Sequence, residues 1–286
     1  MSQSFIDSLS GARCILFGAG VTGAPTLKFL KSQGAIVVSV DEKVIGPEIK
    51  SELKAEDLVG VKLAVVSPGW RVDHPLIKMA LRAGIELISE IDLAWRVKEQ
   101  IAPNQRWIAL TGTNGKTTAI QMLESMLIQS GIKAKACGNL GYTAIEAVVE
   151  SGADILALEL SSFQLEWSKL AHFESVAILN VAQDHIDWHG SFEEYANAKM
   201  KLLTQTKTAL LNLNDPEIIL RGASWSGRKV FFGFDTPQAG EIGVVEELLI
   251  DRAFVASPES AEVIAELTDV KPAVPHNVSN AMAAAG

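Results

Sequence analysis

Hydrophobic and polar positions alternate along the chain in blocks that are typical of parallel β/α folds. Near the amino terminus, short apolar runs are separated by amphipathic segments and end at Gly, Pro or charged residues. The pattern predicts strands at 13–17, 35–40 and 63–66, and a helix at 21–33. Strands that alternate with helices build an open parallel sheet. We therefore expect a Rossmann-like parallel sheet domain in residues 1–100.

The alternation of predicted strands and helices stops after residue 100 and resumes at residue 107. Residues 101–106 combine Pro with polar side chains, which predicts a linker. A second α/β domain is expected over residues 107–286, and its last stretch, 277–286, has high helix propensity. Further elements predicted in this part are a helix at 192–203 and strands at 107–110, 154–160, 175–180, 208–213 and 229–232. The length of 286 residues agrees with two domains.

Composition narrows the possible partners. The chain has 25 Lys and Arg against 34 Asp and Glu, for a net charge of −9, which argues against the clustered cations of a nucleic-acid surface. No apolar run has the length of a membrane span. The amino terminus lacks the basic stretch and apolar core of a secretory signal. We expect a cytoplasmic monomer with neither nucleic acid nor membrane as partner.

The strongest candidate for chemistry is a glycine-rich segment between a predicted strand and a predicted helix. In such phosphate loops the backbone N–H groups face phosphate oxygens, a lysine (here Lys116) adds a mobile cation, and a hydroxyl (here Thr117) can ligate Mg²⁺. Leu110 stands where the common pattern has Gly, so we assign the flexibility to Gly112 and the match to a narrower group of proteins. The predicted ATP-binding residues in this phosphate-loop ATPase-like domain are Gly112, Thr113, Asn114, Gly115, Lys116, Thr117 and Thr118.

Candidate metal ligands follow later in the chain. Glu159 ends an apolar run and could hold a metal or its water beside the phosphates; the alternative is a partly exposed carboxylate at a strand end. Residues 184–189 (DHIDWH) fit a hydrolytic metal site, a metal-free loop cap, or a second Mg²⁺ site near His185. From the residues alone, Lys199 is interpreted as a solvated surface cation.

A second glycine-rich turn, GAGVTG at 18–23, precedes Asp41 at the end of the next predicted strand. This spacing is typical of a dinucleotide fingerprint, yet the same turn serves any phosphate-bearing nucleotide. A diphosphate ligand is favoured, while NAD and a turn made only for packing stay open. The loop at 67–69 opens at the same edge of the sheet, where ligands bind in parallel folds.

Two other function classes would each use part of these motifs. An NAD-dependent oxidoreductase would account for residues 18–23 and Asp41 but leaves the phosphate loop unexplained. A nucleotide-binding module without turnover would not need Glu159, His185 and Lys199. An enzyme that transfers a phosphoryl group therefore accounts for more of the sequence.

The motifs occur in a recognisable order along the chain. After the phosphate loop come GNLG at 138–141, ELSSFQLE at 159–166, DH at 184–185, Tyr195 with Lys199, and HNVSN at 276–280. In this combination the chain resembles the Mur ligases, in particular the branch that adds D-glutamate to UDP-N-acetylmuramoyl-L-alanine. Segment 159–166 carries the resemblance to that branch.

The resemblance implies a role for each matching residue. Lys116, His185 and Lys199 are expected to be catalytic. Thr117 and Glu159 would hold one Mg²⁺, and His185 with a carbamylated Lys199 would hold a second. Asn277 and Asn280 would meet ATP. The implied contacts to the UDP substrate are Gly20, Val21, Thr22, Asp41, Ser67, Pro68, Gly69, Asn139 and His185.

The resemblance also implies a reaction in peptidoglycan precursor synthesis. ATP would phosphorylate the terminal carboxylate of UDP-N-acetylmuramoyl-L-alanine, and D-glutamate would displace phosphate from the acyl phosphate. Members of the family have a third, carboxyl-terminal domain for the incoming amino acid, which this sequence does not reach. We expect the 286-residue chain to bind the UDP substrate but to ligate poorly or not at all.

Overall fold

The computed structural model describes residues 4–139, 141–257 and 259–286. The chain forms two compact units. Unit 1 contains the chain up to Gln105 together with Tyr142–Gly152 and Phe163–Ala171, and unit 2 contains Arg106–Gly141, Ala153–Ser162 and His172–Gly286. The first boundary lies at the end of the stretch expected to be a linker. Because Tyr142–Gly152 and Phe163–Ala171 also belong to unit 1, the two units are not divided at a single linker.

Unit 1 is built on a five-stranded sheet in the order β3-β2-β1-β4-β5, with every pairing parallel. Its strands are β1 (Arg13–Phe17), β2 (Ile36–Val40), β3 (Ile49–Lys50), β4 (Val61–Val66) and β5 (Glu86–Ser89), and its helices before residue 105 are α1 (Phe5–Leu9), α2 (Gly23–Ser32), α3 (Ala55–Leu58), α4 (Pro75–Arg82) and α5 (Glu90–Ile101). Apolar side chains of β1, including Ile15 and Phe17, are fully buried in the core. Since β1 lies between β2 and β4, the crevice at their carboxyl ends is where a ligand is expected in this fold.

Unit 2 is built on a nine-stranded sheet in the order β14-β13-β12-β11-β10-β9-β6-β8-β7. Its strands are β6 (Arg106–Thr111), β7 (Ala134–Gly138), β8 (Ile155–Glu159), β9 (Ser175–Ile178), β10 (Thr208–Asn212), β11 (Arg228–Phe232), β12 (Glu241–Val245), β13 (Leu248–Asp251) and β14 (Glu262–Glu266). Strands β6 to β12 pair in parallel, whereas β13 and β14 add antiparallel strands at one edge. Strand β6 therefore lies between β8 and β9, a placement that the order of the chain does not reveal.

The remaining helices are α6 (Lys116–Gln129), α7 (Ala144–Glu150), α8 (Ser162–Trp167), α9 (Ile186–His189), α10 (Phe192–Met200), α11 (Pro216–Gly222) and α12 (Pro275–Ala285), with short 3-10 segments at Lys201–Gln205 and Leu267–Asp269. Helices α6 and α12 contribute Ile120, Ala281 and Met282 to the core of unit 2. The predicted α/β class, a Rossmann-like parallel sheet followed by a phosphate-loop α/β domain, is confirmed.

Two buried carboxylates on α5 hold the later segments that belong to unit 1. Glu90 Oε1 accepts the Ile145 N–H at 2.6 Å, at the start of α7. Asp92 accepts the backbone N–H groups of Lys169, Leu170 and Ala171 at 2.9 to 3.2 Å. Backbone donors that are buried need such acceptors, so these carboxylates explain why residues 142–152 and 163–171 pack on unit 1.

Throughout the described ranges, every helix is too short or too polar to traverse a bilayer.

Candidate functional site

The phosphate loop of unit 2 joins the central strand of the sheet to a long helix. Strand β6 ends at Thr111, and α6 begins at Lys116. Leu110 is 2% exposed and pairs with Glu159 of β8, so it belongs to the buried strand and not to the loop. The turn begins at Gly112. The first N–H groups of α6 have no acceptor within the helix, and such a helix start attracts phosphate.

Helix α12 approaches the phosphate loop through Asn280. Gly115 has a φ of +82°, in the left-handed region that favours glycine, and a methyl group there would collide with the Asn280 carboxamide. Asn277, one turn earlier, donates its side-chain N–H to Pro272 O at 3.1 Å. The structure thus brings Asn280 to the loop and ties Asn277 to the segment before α12. Their contacts with ATP stay predictions.

Two lysines converge on the carbonyl groups of the turn. Lys116 Nζ donates to Gly112 O at 3.0 Å and to Thr113 O at 2.9 Å. Lys199 Nζ, from α10, donates to the same Gly112 O at 2.7 Å and lies 4.6 Å from the centre of the Tyr195 ring. The interpretation of Lys199 as a surface cation is wrong, since the residue is 2% exposed.

Burial disfavours the protonated, charged form of both lysines. It lowers the pKa of Lys199 to about 7, helped by the charge of Lys116 and opposed by Asp184. Burial also lowers the pKa of Lys116, and Glu159 and Asp184 oppose this effect. A buried cation gains most from an anionic partner, so the turn suits a phosphate group. A lowered pKa also supplies Lys199 with a neutral amine fraction, the form that reacts with CO₂.

Glu159 lies at the carboxyl end of β8 and gathers two partners from neighbouring segments. Its Oε2 accepts the Thr117 hydroxyl at 2.9 Å, and its Oε1 accepts the Asn139 side-chain N–H at 3.0 Å. The Asn139 backbone N–H donates to Glu159 O at 2.8 Å. Glu159 is 2% exposed, so the partly exposed alternative is wrong. Leu140, the next residue of the 138–141 motif, lies outside the described residues.

The donor set around Glu159 fits Mg²⁺ because it offers a carboxylate and a hydroxyl oxygen, ligands of hard cations. Among the residues that the structure describes, no three His, Cys, Asp or Glu side chains cluster as a metal cage. In magnesium sites, water and substrate phosphates commonly complete the coordination shell.

His185 follows β9 in a strained backbone conformation, with a φ of 49°. Such conformations in residues other than glycine concentrate at functional sites. Its ring lies 6.2 Å from the Tyr195 ring, centre to centre, and its Nε2 lies 3.4 Å from Asp184 Oδ2. Since Tyr195 also contacts Lys199, the structure brings both predicted second-metal ligands to one aromatic ring.

Two residues absent from the predicted site support the phosphate loop directly. Asn180, two residues after β9, accepts the N–H groups of Thr113 and Asn114 on its side-chain oxygen, at 3.0 and 2.8 Å. Tyr195 is 1% exposed, and its hydroxyl lies 2.9 Å from Thr113 Oγ1. The sequence offers one signal for Asn180, a polar residue directly after an apolar run. Because β9 pairs with β6 in the sheet, a residue that follows β9 lies beside the phosphate loop that follows β6.

The glycine-rich turn of unit 1 is organised by Asp41. Its Oδ2 accepts the Ala19 N–H at 2.7 Å, and its Oδ1 accepts the N–H groups of Lys43 and Val44 at 2.8 and 2.9 Å. Backbone hydrogen bonds therefore occupy both carboxylate oxygens. The carboxylate shapes the turn, and direct contact between Asp41 and a ligand stays a prediction.

The other predicted substrate contacts of unit 1 lie at the carboxyl edge of its sheet. Gly20 and Thr22 lie in the turn before α2, and Val21 between them is 88% exposed. Ser67, which starts the 67–69 loop after β4, donates its hydroxyl to Gly18 O at 3.2 Å. The turn and this loop are thus joined, as the parallel topology predicts.

Comparison with known proteins gives concordant results. Residues 110–286 match the model of the Mur ligase middle domain, and residues 12–89 match that of the Mur ligase MurD-like N-terminal domain. The UDP-N-acetylmuramoylalanine–D-glutamate ligase of Thermobifida fusca is 43% identical over 97% of this chain and 63% of its own length. The ligase of the same name from Streptomyces avermitilis is 39% identical, over 96% and 63%. The chain thus spans about 63% of the length of these curated relatives.

Solved structures share the fold at low sequence identity. A UDP-N-acetylmuramate:L-alanyl-γ-D-glutamyl-meso-diaminopimelate ligase from Neisseria meningitides has a TM-score of 0.58 and 16% identity, over 96% of this chain and 92% of its own. The UDP-N-acetylmuramate–alanine ligase MurC from Thermotoga maritima has a TM-score of 0.52 and 17% identity, over 95% and 63%. Because the middle-domain model alone matches more than half of the chain, the chain belongs to the Mur ligase family.

Proposed function

We propose that this chain carries the UDP-substrate-binding and ATP-binding parts of an ATP-dependent ligase that adds D-glutamate to UDP-N-acetylmuramoyl-L-alanine. One observation carries the proposal. Lys116, Lys199 and the Thr117–Glu159 pair converge on a phosphate loop at the start of α6. The names of the relatives from Thermobifida fusca and Streptomyces avermitilis support the choice of amino acid and UDP substrate.

The phosphate loop supports the first chemical step. In this step an oxygen of the substrate carboxylate attacks the γ-phosphorus of ATP, and the bond between that phosphorus and the ADP oxygen breaks. Two anions must approach one another, so catalysis depends on positioning and on charge stabilisation. The ammonium group of Lys116 and the N–H groups at the start of α6 would hold the phosphates and reduce this repulsion.

In the second step the amine of D-glutamate is the nucleophile. The D-glutamate nitrogen forms a bond to the acyl carbon, phosphate leaves, and the amine releases its proton to solvent. Asn139, which is hydrogen-bonded to Glu159, and His185 are the residues of unit 2 that we expect to contact the UDP substrate. Lys116 would stabilise the departing phosphate.

When bound, magnesium would neutralise part of the negative charge of the ATP phosphates. Thr117 and Glu159 would hold one ion through their oxygens. We propose His185 and a carbamylated Lys199 for a second ion. The ammonium form of Lys199, which donates to Gly112 O, has no lone pair for a cation, whereas a carbamate offers anionic oxygens. The lowered pKa of Lys199, about 7 through burial, favours the neutral amine from which a carbamate forms.

An NAD-dependent oxidoreductase receives no support. The comparisons agree on Mur ligases.

A thermal-shift experiment on the chain tests the proposal. UDP-N-acetylmuramoyl-L-alanine and Mg-ATP should each raise the unfolding temperature, and NADH should not. A ligand at 100 times its dissociation constant adds about 2.7 kcal/mol to the free energy of unfolding, which is readily measured. Stabilisation by NADH without stabilisation by the UDP compound would overturn the proposal.

A further inference from the structure

Asn180 forms hydrogen bonds with the first turn of the phosphate loop through both its side chain and its backbone. Its side-chain oxygen accepts the N–H groups of Thr113 and Asn114, at 3.0 and 2.8 Å. Its side-chain nitrogen donates to Asn114 O at 3.0 Å. Its backbone oxygen also accepts the Thr113 N–H at 3.0 Å. The carboxamide therefore acts as donor and acceptor toward one residue, as a neighbouring strand would.

Two lysines bind the carbonyl oxygens of the same turn. The carbonyl oxygens of Gly112 and Thr113 receive Lys116 Nζ, and Gly112 O also receives Lys199 Nζ. The direction of these carbonyl groups fixes where the two lysine side-chain nitrogens lie. Since Asn180 fixes the amides of the turn, it also fixes these carbonyl directions through the planar peptide units.

This bonding changes which amides are available to a phosphate. A generic phosphate loop directs its N–H groups at the anion, but here the N–H groups of Thr113 and Asn114 are directed at Asn180. Phosphate recognition then falls to Gly115–Thr118 at the start of α6 and to the Lys116 ammonium group.

We propose that Asn180 is a positioning residue for the nucleotide, acting through Lys116. The inference rests on the proposed function, because it assigns Asn180 to the same phosphate site. Asn180 holds the turn so that Lys116 and the first amides of α6 meet the phosphates together. A side chain must supply both an acceptor and a donor for this, which an ionised aspartate and an alanine do not do.

The test measures binding of the Mg²⁺ complex of the β,γ-imido analogue of ATP by titration calorimetry. Asn180→Ala should weaken binding by about tenfold, because the turn loses the hydrogen bonds of the Asn180 side chain. Asn180→Asp keeps the acceptor, loses the donor and adds a negative charge beside the phosphates, so it should weaken binding by about a hundredfold. The matched control is Asn214→Ala in unit 2, which removes a side-chain acceptor for the Phe234 N–H and should leave affinity within about twofold.

A double-mutant cycle separates positioning from a general structural effect. If Asn180 acts through Lys116, adding Asn180→Ala to Lys116→Met should change the affinity by less than about threefold, although Asn180→Ala alone costs about tenfold. Additive effects would overturn the inference, and so would an Asn180→Ala variant that binds like wild type. Should wild type bind no nucleotide, both the inference and the proposed function fail. Tight wild-type binding with an additive cycle sinks the inference alone.

Each variant is also titrated with UDP-N-acetylmuramoyl-L-alanine. Unchanged affinity for this ligand, which is expected to contact unit 1 together with Asn139 and His185 of unit 2, shows that the variant is folded, and it is the expected result. A parallel loss of both affinities in Asn180→Ala would mean that the substitution disrupts the fold, which overturns a specific positioning role.

Discussion

At the scale of single residues, Gly115 sets the shape of the phosphate loop. Gly115→Ala should destabilise the protein by about 1 to 3 kcal/mol, because the left-handed backbone strains any side chain and the new methyl group meets Asn280. Gly131 is a matched control in the same unit, with a φ of +79° and no atom within 4 Å of a methyl group placed there. Gly131→Ala should therefore show only the backbone part of the cost. Urea denaturation measures both.

The contact with Asn280 can be isolated further. The double variant Gly115→Ala/Asn280→Ala should regain part of the stability that Gly115→Ala loses, because the colliding carboxamide is gone. Equal losses for Gly115→Ala and Gly131→Ala would show that Asn280 does not crowd the loop.

At the scale of elements, the packing of α7 on α5 includes a buried carboxyl group, that of Glu90, whose ionisation destabilises the fold. Glu90 is 3% exposed, and burial raises its pKa to about 7, with the charge of Glu146 adding to this and the N–H groups of Ile145 and Ala144 opposing it. Its Oε2 is buried, with no hydrogen-bond partner among the described residues. The ionised form is therefore disfavoured in the folded state.

The sign of the pH dependence follows from this difference. A carboxyl group whose pKa is higher in the folded than in the unfolded chain stabilises the fold fully at low pH, and that stability is lost as the pH rises from about 4.5 to about 7. Glu90→Gln cannot ionise. Its stability relative to wild type should rise by roughly 3 kcal/mol between about pH 4 and about pH 8.

Urea denaturation of wild type and Glu90→Gln across this pH range makes the comparison. Glu124→Gln in unit 2 is the control, because Glu124 also accepts one backbone N–H, from Ala136, but is partly exposed. It should not reproduce the gain at high pH. A difference between wild type and Glu90→Gln that stays constant with pH would exclude Glu90 as the source.

The sequence predicted elements well where apolar runs are continuous. The pattern located β1 at its observed bounds, and it located the strand–loop–helix unit at β6 and α6. It did not reveal the hairpin strands β12–β14, whose half-buried positions carry a weaker signal. Local pattern is informative where burial is complete and less so at the edge of a sheet.

The site depended on information that local pattern lacks. Glu159 could be predicted because it ends an apolar run, and the phosphate loop because its spacing carries a mechanism. Lys199 could not be predicted from the residues, because its burial depends on tertiary packing, and only the family resemblance pointed to it. Asn180 was missed because β9 and β6 are neighbours in the sheet but distant in the sequence.

At the scale of the whole molecule, chain order and compact units do not coincide. Glu90 and Asp92 of α5 recruit residues 142–152 and 163–171 to unit 1, although both segments follow the first strand of unit 2. A prediction that relies on one linker at 101–106 could not find this, since both segments are short. Each unit nevertheless keeps its own sheet and its own glycine-rich turn, so the two predicted ligands should protect different turns, although Asn139 and His185 of unit 2 are also predicted contacts of the UDP substrate.

Hydrogen exchange with residue-level fragmentation can test this separation. UDP-N-acetylmuramoyl-L-alanine should slow exchange at 18–23 and 67–69 in unit 1, and the Mg²⁺ complex of the β,γ-imido analogue of ATP should slow exchange at the phosphate loop in unit 2. Because the N–H groups of Thr113 and Asn114 are already bonded to Asn180, the added protection should fall on Gly115–Thr118 and not on these two residues. NADH serves as the negative control. Protection of 18–23 by NADH, or protection by the ATP analogue confined to Thr113 and Asn114, would contradict the assignment of ligands to the two turns.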